Sequence, residues 1–191
     1  LQGVSSDLPT PLAKAAADSL PLRVERLAAS GQQERLSISI ENIISVQLLR
    51  RKDGPQYVIE RGTVSLGGTA AAPERSGIWV SGSLRSLDLD QWLALQKATS
   101  AADNRYQLAG VDVKFGNLDV FGRRFHDLAI TGTAQGTGSA QARDWQMVLV
   151  GRELAGEALG GNPLGLREVD DGRFAHFAVA RALRVLTAVA S

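Results

Sequence analysis

The residues best equipped for chemistry in this 191-residue chain are two histidines, His126 and His176, and two acid pairs, Asp88/Asp90 and Asp170/Asp171. The histidines are 50 positions apart, and neither stands in the close spacing that lets two imidazoles share a metal ion. Both read as surface or strand-edge residues. Asp88 and Asp90 are placed at i and i+2, so on a strand they would face one side, a geometry that suits glycoside hydrolysis or calcium. They also precede the apolar run Trp92-Leu93-Ala94-Leu95, where an Asp caps a helix by accepting from the free amides of its first turn. Capping is the simpler reading. Asp170-Asp171-Gly172 is a turn sequence. Without a Gly-x-Ser-x-Gly elbow, a phosphate loop or a strand-framed Gly-x-Gly-x-x-Gly, no nucleophile or phosphate cradle is encoded. The chain has no cysteine, which excludes disulfides, thiolate catalysis and Cys-ligated zinc. The expectation is a protein that is not an enzyme and needs neither metal nor cofactor.

The bulk chemistry points to ordinary globular material. Hydrophobic residues make up 44% and charged residues 21%, and 21 basic against 20 acidic side chains leave a net charge of +1. Nucleic-acid binding rests on clustered cations that neutralise phosphates, so this balance argues against it. The short basic patch Arg50-Arg51-Lys52 reads as a solvated loop. No stretch approaches the ~20 apolar residues of a membrane span. The chain opens Leu-Gln-Gly with neither an initiator Met nor a signal peptide, so a piece of a longer protein is expected.

The elements that must position these residues are mainly strands. Leu36, Ile38 and Ile40 alternate with serines, and the period of two returns at Ile78, Val80, Gly82 and Leu84. It returns again at Val111, Val113 and Phe115, and at Trp145, Met147 and Leu149. Strands of this kind bury one face and leave the other polar, as antiparallel sheets do. Gly116-Asn117 and Gly122-Arg123 read as tight hairpin turns, and Gly67-Gly68, Gly136–Gly138 and Gly160-Gly161 as further breaks. Two short helices are expected, one capped by Asp88 or Asp90 and one over Pro11–Asp18. Thr69–Ser76 reads as a long loop, and Phe174–Val189 as a strand despite its alanines. Trp79, Trp92 and Trp145 stand among aliphatic residues and are expected to pack in the core. The sum is a mainly β, single domain over residues 1–191: a curved, mostly antiparallel meander, either groove-like or an incomplete sandwich.

Several phrases occur in a telling order. Leu8-Pro-Thr-Pro-Leu-Ala-Lys14 is followed by Leu20-Pro-Leu22, Arg61-Gly-Thr-Val-Ser-Leu-Gly67 and Gly77-Ile-Trp-Val-Ser-Gly-Ser-Leu84. Then come Leu87-Asp-Leu-Asp-Gln-Trp92, Leu118-Asp-Val-Phe-Gly-Arg-Arg-Phe-His-Asp-Leu128, Trp145 and Leu154-Ala-Gly156. In this order the chain resembles the large AsmA-like proteins of the YhdP type, members of the bridge-like lipid transfer proteins. The C-terminal Arg173–Leu186 matches the family's basic, leucine-rich strand only loosely.

The resemblance implies a periplasmic segment of a parent protein anchored in the inner membrane of a Gram-negative bacterium. It implies a long curved sheet whose apolar inside carries phospholipid acyl chains between the two membranes, and no catalytic residues. The partners implied are phospholipid, the rest of the parent chain and the inner membrane. If the apolar faces turn inward, the lipid-facing candidates are Leu36, Ile38, Ile40, Ile78, Val80, Leu84, Val111, Val113, Phe115, Trp145, Met147 and Leu149. Burial in a sealed core, in an envelope scaffold or interaction domain, is the alternative for each.

Overall fold

The computed structural model describes residues 5–98, 108–135 and 144–152. Among these residues eight strands form one sheet in chain order: β1 (Leu22–Ala28), β2 (Gln33–Ile40), β3 (Ile44–Asp53), β4 (Gln56–Leu66), β5 (Gly77–Asp88), β6 (Leu108–Val120), β7 (Arg123–Gln135) and β8 (Asp144–Val150). Among the described residues one named helix, α1 (Leu89–Ala98), comes directly after β5. The sheet is mostly antiparallel and, among the described residues, does not close. The expectations for Phe174–Val189, His176, Asp170/Asp171, Gly136–Gly138, Gly160-Gly161 and Leu154–Gly156 lie outside the described residues.

The period-two runs became strands as their alternation dictates, and register makes their apolar faces continuous. Val24, Ile38, Val46, Val64, Val80, Val111, Gly132 and Met147 are successive partners across all eight strands. A second row runs Leu22, Ile40, Ile44, Leu66, Gly82, Val113, Ile130 and Leu149. The opposite face carries Ser37, Ser39, Ser45, Gln47, Thr63, Ser65, Ser81, Asp112 and Thr131. A one-residue slip would turn every one of these side chains to the wrong face, so the pattern itself pins the register.

Two neighbours run parallel, which a simple meander would not contain: β4 with β5, and β5 with β6. The chain must therefore return along the sheet twice, once through residues 67–76 and once through the connection that α1 begins. The loop at 67–76 crosses the polar face. There Gln47 Nε2 donates to the Ala70 carbonyl at 2.9 Å and Arg61 donates to the Glu74 carbonyl at 3.0 Å. Backbones approach closely at this junction. At Gly82 (φ +113°) a Cβ would stand 2.1 Å from the Leu66 carbonyl oxygen, so only glycine fits.

Some local expectations are corrected. Gly116-Asn117 is not a turn: β6 runs through it, pairing Asn117 with Ser86 on one side and His126 on the other. Glycine serves close approach there, because a Cβ would come 2.7 Å from the Arg85 carbonyl oxygen. The reversal is at Phe121-Gly122, one residue before the expected pair, with φ of +53° and +69°. Pro11–Asp18 forms turns and no helix. Ser6 and Lys14 exchange backbone hydrogen bonds, and the Asp18 carboxylate accepts from the Ala15 amide. Arg50-Arg51-Lys52 is in strand β3, not in a loop, because these residues pair with Ile59, Val58 and Tyr57.

Candidate functional site

The core runs along the apolar face, deepest in β3–β7. Val64, Val113, Val80, Ile78, Val111 and Phe115 are all buried there, as is Leu36 on β2. Toward the flanks the face opens: Ile38, Ile40, Met147 and Leu149 are half-buried, and Val24 on β1 is 55% exposed. The register thus brings all four candidate groups onto one sheet. Ile38, Val80, Val111 and Met147 share a row; so do Ile40, Val113 and Leu149, as do Leu36 and Ile78, and Leu84 and Phe115. Trp145 is paired with Ala134 on β8, two residues from Met147. Ile44, Val46, Leu48, Val64, Leu66, Leu128 and Ile130 belong to the same face and were missed, although the alternation Ile44-x-Val46-x-Leu48 signals it.

One end of this face carries an apolar plug. β1 enters the sheet at the end marked by Leu22, Ile40, Ile44 and Leu66, and β5 runs on beyond that row, from Gly82 to Asp88, before α1 begins. There Leu12, Leu89 and Trp92 are buried in the common core, and Trp92 Nε1 donates to the Thr10 carbonyl at 3.1 Å. The acid pair is structural. Asp88 caps α1 by accepting from the Gln91 amide at 3.0 Å. Asp90 reaches across to the β6–β7 turn and accepts from the Phe121 and Gly122 amides at 2.7 and 2.8 Å. Its carboxylate thereby holds an aromatic residue in the left-handed region, which such residues rarely occupy. Both carboxylates are thus occupied with backbone or cap donors.

The other end is ionic. Glu34 has the same strand parity as Leu36, and its carboxylate pairs with Arg26 at 2.9 Å and with Arg50. Arg50 also lies over the Tyr57 ring, 4.4 Å from its centroid. The hydrogen bond from Arg26 holds the Glu34 carboxyl below the usual glutamate value, against the opposing effect of its desolvation, with Arg50 adding to the lowering. Arg124 does the same to Asp119, across the ladder at 2.7 Å.

Where β5, β6 and β7 leave the two-residue alternation, burial steps by three: Leu84 to Leu87, Phe115 to Leu118, Leu128 to Phe125. Asp127 takes a φ of +50° at this level. A cleft of ≈ 330 Å³ opens beside it, lined among others by Leu84, Phe115, Leu128, Arg85, Lys114 and Asp127. Trp79, expected in the core, is instead half-buried on the polar face. Its ring lies against Gly110, where a Cβ would meet it at 2.2 Å, and Arg75 stacks on it at 3.6 Å. His126 is half-buried on β7, paired with Asn117 of β6 and beyond the stretch of β7 that β8 covers.

Among the described residues no helix is long and apolar enough to cross a membrane, which says nothing of β-barrels. No curated protein and no solved structure matches the chain. The model of one family, described as YhdP protein, matches residues 1–166. That match covers most of the chain and contains every described strand, so the protein belongs to the YhdP family.

Proposed function

We propose that this chain is a segment of a bacterial envelope protein whose sheet carries or shields phospholipid acyl chains on their way from the inner to the outer membrane. The YhdP family is one of bacterial envelope proteins of a lipid-transport type, not known as enzymatic. The observation that carries the reading is the apolar face, continuous through eight registered strands and backed by a polar one. The 67–76 crossover runs on the polar side and leaves that face to apolar partners. Each methylene taken from water onto such a face contributes about 0.8 kcal/mol, so an acyl chain needs no specific polar contact there. The half-buried flanks, Ile38 and Ile40 on β2 with Met147 and Leu149 on β8, are where a chain reaches the sheet without displacing the packed centre. At the cleft by Leu84 and Phe115, Arg85 and Lys114 supply charge of the sign that a phosphate requires. The segment works in the periplasm, in a parent anchored to the inner membrane.

The test is mass spectrometry of lipids extracted from the chain after expression in a bacterial periplasm. Phospholipid should co-purify in near-stoichiometric amount, and Ile38→Glu together with Met147→Glu should lower it several-fold without loss of the β-sheet circular dichroism. A lipid-free wild-type chain, or lipid unaffected by both substitutions, would count against the proposal. A second reading is favoured by burial at the centre, where Val64 is 0% and Val113 1% exposed: a sealed envelope scaffold. An apolar dye separates the two, since an open face takes it up in the native state and a sealed core does not.

A further inference from the structure

The apolar face is finished differently at its two ends. Across β1–β3 it is built from the even-numbered residues, and β4 joins it with Leu66, Val64 and Gly62 and, past a bulge, with Ile59 and Tyr57. The charged members of the face on these strands are Arg26, Glu34, Arg50 and Lys52, three cations against one acid. Every other residue of it there is aliphatic, save Gly62 and Tyr57. All four charges stand at the end of the strands away from the plug of Leu12, Leu89 and Trp92. Glu34 is their pivot: its Oε2 accepts from Arg26 at 2.9 Å and its Oε1 accepts from Arg50. Arg50 is further fixed over the Tyr57 ring, and its side chain is 18% exposed against 59% for Arg26. Two guanidiniums present about ten N–H donors and one carboxylate about four acceptor positions, so Glu34 orients the pair without saturating it.

We infer that Arg26 and Arg50 bind the phosphate of a phospholipid whose acyl chains run along this face toward Leu12, Leu89 and Trp92. On the reading that acyl chains occupy the face, as proposed above, this cationic end fixes which way the lipid points. A guanidinium fork matches phosphate oxygens two at a time, and both forks are already held in place by Glu34 and Tyr57, so little order has to be imposed on binding. Lys52 adds a third cation farther from the plug. The dimensions agree. From Glu34 to Ile40 strand β2 rises about 20 Å. One leaflet of hydrocarbon, half of a bilayer core ~30 Å thick, is about 15 Å deep. A chain whose phosphate sits at Arg26 and Arg50 therefore ends on aliphatic side chains before it meets the plug. The half-exposed Arg26 keeps the phosphate in contact with water while the tail leaves it, which spares the lipid the cost of burying its charge. Glu34 also lowers the net charge of the site, so the phosphate is held reversibly, as passage along a path requires.

The experiment compares the binding of two fluorescent lipids with the same acyl chains, phosphatidylglycerol and diacylglycerol, to the whole chain. Phosphatidylglycerol should bind about tenfold or more tighter, and the advantage should shrink as salt is raised. Arg26→Gln with Arg50→Gln should abolish the advantage and leave diacylglycerol binding within about twofold, because only the charged contact is lost. Glu34→Gln, which removes the competing carboxylate, should widen the advantage about threefold or more. Arg35→Gln, on the polar face of β2, should change neither lipid. Circular dichroism checks that each variant keeps its sheet; if the double arginine variant does not fold, the ratio for Glu34→Gln decides. Equal binding of the two lipids by the wild-type chain, an advantage that survives the double substitution, or a ratio unmoved by Glu34→Gln overturns the headgroup site and leaves the acyl-chain reading standing. Binding of neither lipid overturns both.

Discussion

Glu34 shows what a single carboxylate does where an apolar face meets its rim. It stands in line with Leu36, Ile38 and Ile40, and two arginines keep its charge satisfied as burial begins. Because Arg26, with Arg50, depresses its folded pKa, the contribution of this carboxylate to stability is complete above the ordinary glutamate range and is lost as pH falls through the depressed value. Carboxyl carbon chemical shifts should show Glu34 titrating below an unpaired glutamate, and Arg26→Ala should move it upward; an unchanged midpoint would refute the pairing. A cap at 88 or 90 was legible, since Asp before an apolar run has a local job, and Asp88 fills it. That Asp90 grips the amides of Phe121 and Gly122 was not, because no local pattern ties residues 31 positions apart. For the same reason the turn was misplaced by one residue: a phenylalanine at positive φ is held there by a distant partner, not by its own preference.

The elements divide by how far their determinants reach. Strands β2, β5, β6 and β8 are readable because the period of two is written in adjacent residues. The identity of their neighbours is not, since a connection of a given length serves an antiparallel or a parallel return alike. Helix α1 is marginal by itself at ten residues and owes its place to what it buries. Trp92 is 1% exposed and ties α1 to the N-terminal segment through Thr10. Trp92→Ala should cost roughly 3–5 kcal/mol of unfolding free energy, read from the denaturant midpoint. Trp92→Phe, which keeps most of the apolar body and loses only the donor, should cost less. Equal midpoints for wild type and Trp92→Ala would show that the plug holds nothing together. Trp79 illustrates the converse: aliphatic neighbours in sequence suggest a core residue, yet parity on β5 places it on the other face, over a glycine of the adjoining strand.

For the molecule as a whole, the apolar face was legible because a face is a property of alternation, whereas the open or sealed character of that face is a property of assembly. Among the described strands, β5 is the one whose neighbours on both sides run parallel to it. On one side β1–β4 form from successive hairpins, and on the other β6–β8 are antiparallel in chain order. Hairpins close short loops and form early, while each parallel pairing waits on a longer excursion of the chain. Refolding should therefore pass through two hairpin stacks that lack a common strand. In pulsed hydrogen exchange, amides of β2–β3 and β6–β7 should gain protection before those of β5, and simultaneous protection would refute this order. Until β5 arrives, each stack presents an inner edge of its own, β4 on one and β6 on the other. These edges are brief hazards for aggregation in a crowded compartment, and chaperones that shield single strands would act on this chain within that interval.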